Sequence, residues 1–290
     1  MNTSCRESIS VQLKGALKGK FAQLLDELRR MGSALVAFSG GVDSSVLAAA
    51  AKIALDGRVL AVTANSANLP PEELENAKRV AKDIGIKHLV IRTNELKNKD
   101  FVMNSPMRCY YCKKELISKL QKIAEKENKA AIVDGLNADD LRRYRPGSRA
   151  LSEDGIFTPL ADVGLSKKEV REIAKILVPD VADKPQMACL SSRISHDQKI
   201  TKERLIRVGK AEQRIRGLTG IKQLRVRDHG NIARIEVALD ELNKMLNLNS
   251  MSNITRRLKS LGYRYVVLDM EGYRSGSLEE TTGAKTIKFK

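Results

Sequence analysis

Residues 107–114 read MRCYYCKK, which places two of the chain's four cysteines, Cys109 and Cys112, with two residues between them among basic neighbours. Thiols at that spacing can meet one metal centre, form a redox pair or be unrelated. A second stretch able to do chemistry is FSGGVDSS at 38–45. Gly40 and Gly41 let backbone N–H groups approach an oxyanion closely, and Ser39, Ser44 and Ser45 add hydroxyl donors. A helix after such a turn presents its positive end to the same anion. The turn therefore reads as a phosphate holder, although it has neither the lysine and spacing of a Walker A loop nor the GxGxxG pattern.

Three further groups follow. In DGLNADD (134–140), Gly135 would allow close approach to a nucleotide, and Asn137, Asp139 or Asp140 could bind Mg2+ or position a substrate; a plain polar loop is the alternative. Thr63 and Ala64 are candidate adenine or ribose neighbours. Arg193, Arg225 and Arg227 are candidates for a substrate phosphate, because guanidinium forks suit phosphate oxygens in two-point contact. Strand alternation puts Arg225 and Arg227 on one face with Val226 opposite; the alternative is a solvated cationic face. Arg274 is a further candidate, and His229, in a turn, reads as structural.

The elements that must position these residues alternate. Helical periodicity covers 9–31, strands are predicted at 34–38, 58–64, 87–91 and 130–135, and helices at 44–55, 70–85 and 113–126. Such alternation implies a doubly wound parallel sheet whose ligands bind at the carboxyl ends of the strands, where SGGVDSS, TANS and DGLNADD all fall. After Ile194 the pattern becomes αββαβ: a helix at 200–217, strands at 222–228 and 232–237, a helix at 239–261 and a strand at 263–270. This predicts an α/β nucleotide domain at 1–194 and a smaller C-terminal α+β domain at 195–290, with the tail after Gly276 as a loop.

Composition bounds the function. The chain carries 52 basic and 35 acidic residues, a net charge of +17, with 21 against 11 in residues 191–290 and 31 against 24 before them. The excess suggests an anionic partner, nucleic acid or a phosphorylated small molecule, or simply a basic surface. No secretory signal is read, and VLAAAAKIAL (46–55) is too short to span a bilayer, so a soluble cytoplasmic protein without a membrane partner is expected. Four cysteines in 290 residues do not make a disulfide scaffold, and Cys5 reads as incidental.

SGGVDSS resembles the pyrophosphate loop of the N-type ATP pyrophosphatases, over roughly residues 30–180. That resemblance implies an adenine-nucleotide α-hydrolase-like fold, ATP held by its β,γ-pyrophosphate, and Asp43 helping to place Mg2+. ACLSSRIS (188–195), LRVRDHG (224–230), ARIEV (233–237) and LDMEGYRSGSL (268–278) together resemble the LarE family, ATP-dependent sulfur transferases that make the nickel-pincer cofactor of lactate racemase. The resemblance implies a pyridinium-3,5-biscarboxylic acid mononucleotide substrate whose carboxylates become thiocarboxylates, sulfide or another sulfur donor, and assembly into a homo-oligomer. It also implies that Cys109, Cys112 and Cys189 hold a 4Fe–4S cluster whose fourth iron carries hydrosulfide.

Alternatives stay open at this point. Cys189 could give up its own sulfur and become dehydroalanine. A structural zinc would need a fourth ligand from His88, His196 or His229. A tRNA thiolase would share the loop and the cysteines, but no RNA-binding module is visible, so nucleic acid is not the expected partner. A nucleotide-binding regulator without catalysis is the remaining rival.

Overall fold

The computed structural model describes residues 13–142, 146–185, 187–196 and 198–274. Cys5, the first residues of the predicted opening helix and the predicted tail loop lie outside these. Contacts divide the chain into two units, Met1–Glu95 with Cys109–Gln186, and Leu96–Arg108 with Met187–Lys290. The stretch 96–108 therefore joins the C-terminal unit, a division a single cut at 194 does not contain. The physical reason is Asn104, fully buried, whose side-chain amide donates to the carbonyls of Ile194, Ser195 and Gln198 at 3.2, 2.7 and 3.0 Å.

The first unit is built on four parallel strands in the order β3–β2–β1–β4: β1 Ala34–Ala37, β2 Val59–Asn65, β3 Lys87–Arg92 and β4 Ala131–Asp134. β1 is central, with Ala37 paired to both Val62 and Asp134. Helices cover both faces, as the alternation predicts. On one side α1 (Gly15–Arg30), α2 (Val42–Leu55) and α3 (Pro71–Ile84) pack on Val36, Val59, Ala61 and Val133. On the other, α5 (Arg108–Lys126) buries Ile117, Leu120 and Ala124 against Leu35, Leu60 and Ile132, while α4, the short Lys99–Val102 turn, belongs to the second unit. The alanines of α2 explain its burial, since small side chains let its axis lie close to the sheet. Pro71, Glu72 and Glu73 start α3 and Gly85, at φ +69°, ends it.

Short helices follow β4: α6 (Ala138–Leu141), α7 (Pro146–Glu153) and α8 (Pro159–Asp162), then α9 (Lys167–Leu177) and α10 (Pro179–Ala182). In the second unit α11 (Lys202–Thr219) and α12 (Leu248–Lys259) back a three-stranded sheet ordered β5 (Leu224–His229), β6 (Ile232–Val237), β7 (Tyr265–Leu268). β5 and β6 are antiparallel and β6 and β7 parallel. Its core holds Leu224, Val226, Ala233, Ile235, Val237 and Leu258. The helix expected over 239–261 is broken: a 3-10 turn at Leu239–Lys244 precedes α12, whose side-chain cap, Asn247, accepts from the Ser250 N–H at 2.8 Å. Asparagine favours a cap over a helix interior, which sets the break.

Candidate active site

β1 delivers Phe38 and the loop 39–45 to the end of the sheet, where α2 begins after Gly41. The loop is cross-braced by its own serines. The Ser44 hydroxyl donates to the Gly41 carbonyl at 3.1 Å, lies 3.0 Å from the Ser39 hydroxyl and accepts from the Ser39 N–H at 3.2 Å. Gly40 takes φ +69°, and a Cβ there would meet the Ala77 backbone at 2.7 Å. Asn76 holds the Gly40 carbonyl at 2.9 Å. Thus Gly40 is required by the loop's packing on α3 as well as by any approaching anion. The Ser45 hydroxyl is fully buried and has no hydrogen-bond partner among the described residues. An orphaned donor in such a loop fits an anionic ligand.

Asp43 stands in the first turn of α2. Its carboxylate accepts from Asn137 Nδ2 at 3.1 Å and forms an ion pair with Lys167 Nζ. Asn137 also caps α6, accepting from the Asp139 and Asp140 N–H groups, and Asp140 returns the bond to the Asn137 N–H. Asp139 accepts from the Lys167 N–H at 2.8 Å. Asn137, Asp139 and Asp140 therefore organise the loop, and Asp43 is a carboxylate at its end that could hold Mg2+. Gly135 packs on the phosphate loop itself, since a Cβ there would lie 2.9 Å from the Ser44 nitrogen. The close approach expected at Gly135 is to Ser44, so its side-chain space is already filled by protein.

Thr63, a candidate adenine or ribose neighbour, has its side chain engaged within the fold. It is buried, its hydroxyl donates to the Phe38 carbonyl at 2.7 Å, and it meets His88 Nε2 at 2.7 Å. Because the hydroxyl proton is spent on Phe38, His88 must donate. Burial, with Lys78 nearby, holds the His88 pKa below the usual histidine value. Thr63 braces the strand that feeds the loop.

Cys109 and Cys112 occupy the first turn of α5, which starts at Arg108, earlier than the predicted 113. Nothing in RCYYCKK breaks a helix, and Pro106 lies just upstream, where proline is tolerated. Positions three apart share a helix face, Cys109 is exposed and Cys112 half-buried. Lys113, next in the chain, pairs with Asp134 at the end of β4 at 2.7 Å. Burial opposes the charge on Lys113, but the Asp134 carboxylate more than offsets it and its pKa is raised.

In the second unit Cys189 precedes a 3-10 turn, Leu190–Arg193, and its Sγ lies 3.1 Å from the Ser191 hydroxyl. Arg193, a candidate for the substrate phosphate, is engaged by the protein itself. It is fully buried and donates to both oxygens of Glu212, to the carbonyls of Ala188 and Cys189, and to the Ser192 hydroxyl. Arg227 is likewise occupied: Nε and Nη2 bond Glu236 at 2.9 and 2.7 Å, and Nη1 bonds the Ser192 carbonyl. Arg225 differs. Its contacts include the Leu224 carbonyl, a 3.8 Å approach to the Met187 sulfur and the face of Tyr273. Burial, with the cation of Arg193 beside it, pushes its pKa down to about 10. Arg274 pairs with Glu271 at 2.8 Å.

Among the described residues no group of three or more His, Cys, Asp or Glu side chains is gathered to hold a metal ion. Among those residues, too, no helix is long and apolar enough to cross a membrane.

Lys167 escaped the sequence reading. Its signal is the capping box Ser166–Glu169, which starts α9 and fixes Lys167 as its first residue. Asn104 and Arg108, bonded to each other at 2.7 Å, also escaped it.

A family model described as asparagine synthase matches residues 19–109, the stretch that contains the loop. Together with the loop at the end of a parallel sheet, this makes the first unit a nucleotide domain of the N-type ATP pyrophosphatase class. The chain is 36% identical over 278 residues to pyridinium-3,5-bisthiocarboxylic acid mononucleotide synthase of Lactiplantibacillus plantarum, covering 94% of this chain and 99% of that one. It is 42% identical over 262 residues to an uncharacterized protein of Synechocystis, covering 90% and 97%. With an uncharacterized protein of Methanocaldococcus jannaschii it shares 33% over 265 residues, covering 91% and 97%. The chain belongs to the LarE family, that of pyridinium-3,5-bisthiocarboxylic acid mononucleotide synthase.

Proposed function

We propose that this chain is an ATP-dependent sulfur transferase acting on pyridinium-3,5-biscarboxylic acid mononucleotide. The observation that carries the reading is the phosphate loop with its orphaned Ser45 hydroxyl and with Asp43 held between Lys167 and Asn137. A substrate carboxylate oxygen attacks the α-phosphorus of ATP, the bond to the β-phosphate oxygen breaks, and pyrophosphate leaves. The loop N–H groups and the serine hydroxyls grip the departing pyrophosphate. Asp43 would hold Mg2+, which would neutralise the leaving group's charge, and Lys167, now paired to Asp43, would be at hand for the pyrophosphate oxygens. A sulfur nucleophile then adds to the acyl carbon and AMP leaves. Arg225, whose guanidinium lies on the face of Tyr273, is the arginine we assign to the substrate phosphate, because its fork suits phosphate oxygens in two-point contact.

The sulfur has two candidate sources. In one, Cys109, Cys112 and Cys189 hold a 4Fe–4S cluster, which requires the two units to bring the third thiol to the other two. In the other, the Cys189 thiolate attacks, AMP leaves, and loss of the Cα proton with cleavage of the Cβ–S bond leaves dehydroalanine and the thiocarboxylate. Protein purified without oxygen, incubated with ATP, Mg2+ and the dicarboxylate mononucleotide, tests both by mass spectrometry. Dehydroalanine at 189 with one sulfur per chain supports sacrifice. Iron in the protein, intact Cys189 and many turnovers with added sulfide support the cluster. Thiolation of bulk tRNA with the mononucleotide untouched overturns the substrate assignment.

A further inference from the structure

Glu212 lies on α11, within the second unit, at 1% exposure. One oxygen accepts from Arg193 Nε at 2.8 Å and from the Val226 N–H at 3.1 Å; the other accepts from Arg193 Nη2 at 3.2 Å and Arg216 Nη2 at 2.9 Å. Burial alone would raise its pKa, but Arg193, then Arg216 and Arg225, more than offset this and hold it ionised. Both oxygens are spent, so the group is unsuited to moving protons.

The pair's other end is more informative. Arg193 Nη1 reaches back to the carbonyls of Ala188 and Cys189 at 2.6 and 3.0 Å, and to the Ser192 hydroxyl at 3.0 Å. That hydroxyl itself donates to the Cys189 carbonyl at 2.7 Å. The peptide carrying the thiol is thus gripped from two sides by groups whose anchor is Glu212, and Glu212 is tied to β5 and α11. Surface loops rarely receive a fully buried charge as a support, because a buried pair costs desolvation and seldom adds net stability. Such a pair serves to fix one geometry. We infer that Glu212 and Arg193 are positioning residues that fix the Cys189 main chain and so the direction of its thiol. The inference rests on the reading of Cys189 as the residue that delivers or carries sulfur, but not on which of the two sources is used.

Thiol reactivity tests it without substrate. Iodoacetamide labelling of the full chain, followed residue by residue by peptide mass spectrometry, gives the rate at Cys189 with Cys109 and Cys112 as internal references. Arg193→Lys keeps a cation but cannot reach Glu212 and both carbonyls; Ser192→Ala removes one grip and leaves no buried charge, so it carries the test should the first variant not fold. In both, labelling at Cys189 accelerates, by about tenfold in Arg193→Lys and less in Ser192→Ala, while the two references are unmoved. In turnover, kcat for sulfur transfer falls and the KM for ATP stays. Cys189 labelling within twofold of wild type in both variants overturns the inference. Accelerated labelling in a protein that transfers no sulfur even as wild type would uphold the positioning and defeat the functional reading.

Discussion

The phosphate loop and the arginine pairs around β5 treat their charged and polar groups in opposite ways. In the first, the Ser45 hydroxyl has no partner among the described residues, and the Asp43 carboxylate is held by a lysine and an amide. In the second, Arg193 and Arg227 are buried and paired to Glu212 and Glu236. A site for a ligand is marked by uncompensated groups, and a cluster of cations that has already met its anions is architecture. The contrast separates residues that bind from residues that hold.

Removing Asp43 should have the largest effect on activity. Asp43→Ala is expected to lower pyrophosphate release about 10²- to 10³-fold, the scale of losing a charge-stabilising group, with the thermal midpoint kept; a normal rate would break the comparison on its binding side. Arg227→Ala should act in the opposite sense, on the fold. Glu236 keeps Arg234 at 3.0 Å but loses this buried partner, which is expected to cost about 1–3 kcal/mol in urea unfolding. Unchanged stability with weakened substrate binding would return Arg227 to the ligand.

Arg225→Ala sharpens the boundary between the classes. It should weaken binding of the pyridinium mononucleotide by ~1.5–3 kcal/mol, the worth of a hydrogen bond to a charged group, with ATP affinity kept. Calorimetry with each ligand separates the two. The smallest effect is expected at His88. Its folded pKa lies below the unfolded value of about 6.5, so the unfolded chain binds the extra proton first, and stability falls as pH drops through that value. His88→Gln, whose amide can still donate to Thr63, should flatten that part of the stability–pH curve.

Much of the first unit was legible because each signal was local. The parallel strands follow from short apolar runs, α3 from Pro71 and Gly85, and the loop from residue types in a fixed order. What was not legible depends on partners distant in the chain. Arg193 reads as a phosphate ligand until Glu212, nineteen positions on, is folded against it. Thr63 reads as a nucleotide neighbour until His88 and the Phe38 carbonyl occupy its hydroxyl. Lys167 meets Asp43 across more than a hundred residues, and Asn104 carries 96–108 into the second unit by bonds to 194–198. Charge in a sequence is visible; its compensation is not. Arg225 and Arg227 share one strand face and similar surroundings in sequence, yet Arg227 meets Glu236 and Arg225 meets the Leu224 carbonyl.

The most direct test of adenylating sulfur transfer is the product balance of one reaction. ATP, Mg2+, the dicarboxylate mononucleotide and sulfide are incubated with the purified protein, and nucleotide products and substrate mass are measured together. The account predicts AMP and pyrophosphate in equal amounts, one of each for every oxygen exchanged for sulfur. ADP and phosphate, or AMP and pyrophosphate with no sulfur gained by the mononucleotide, would contradict it.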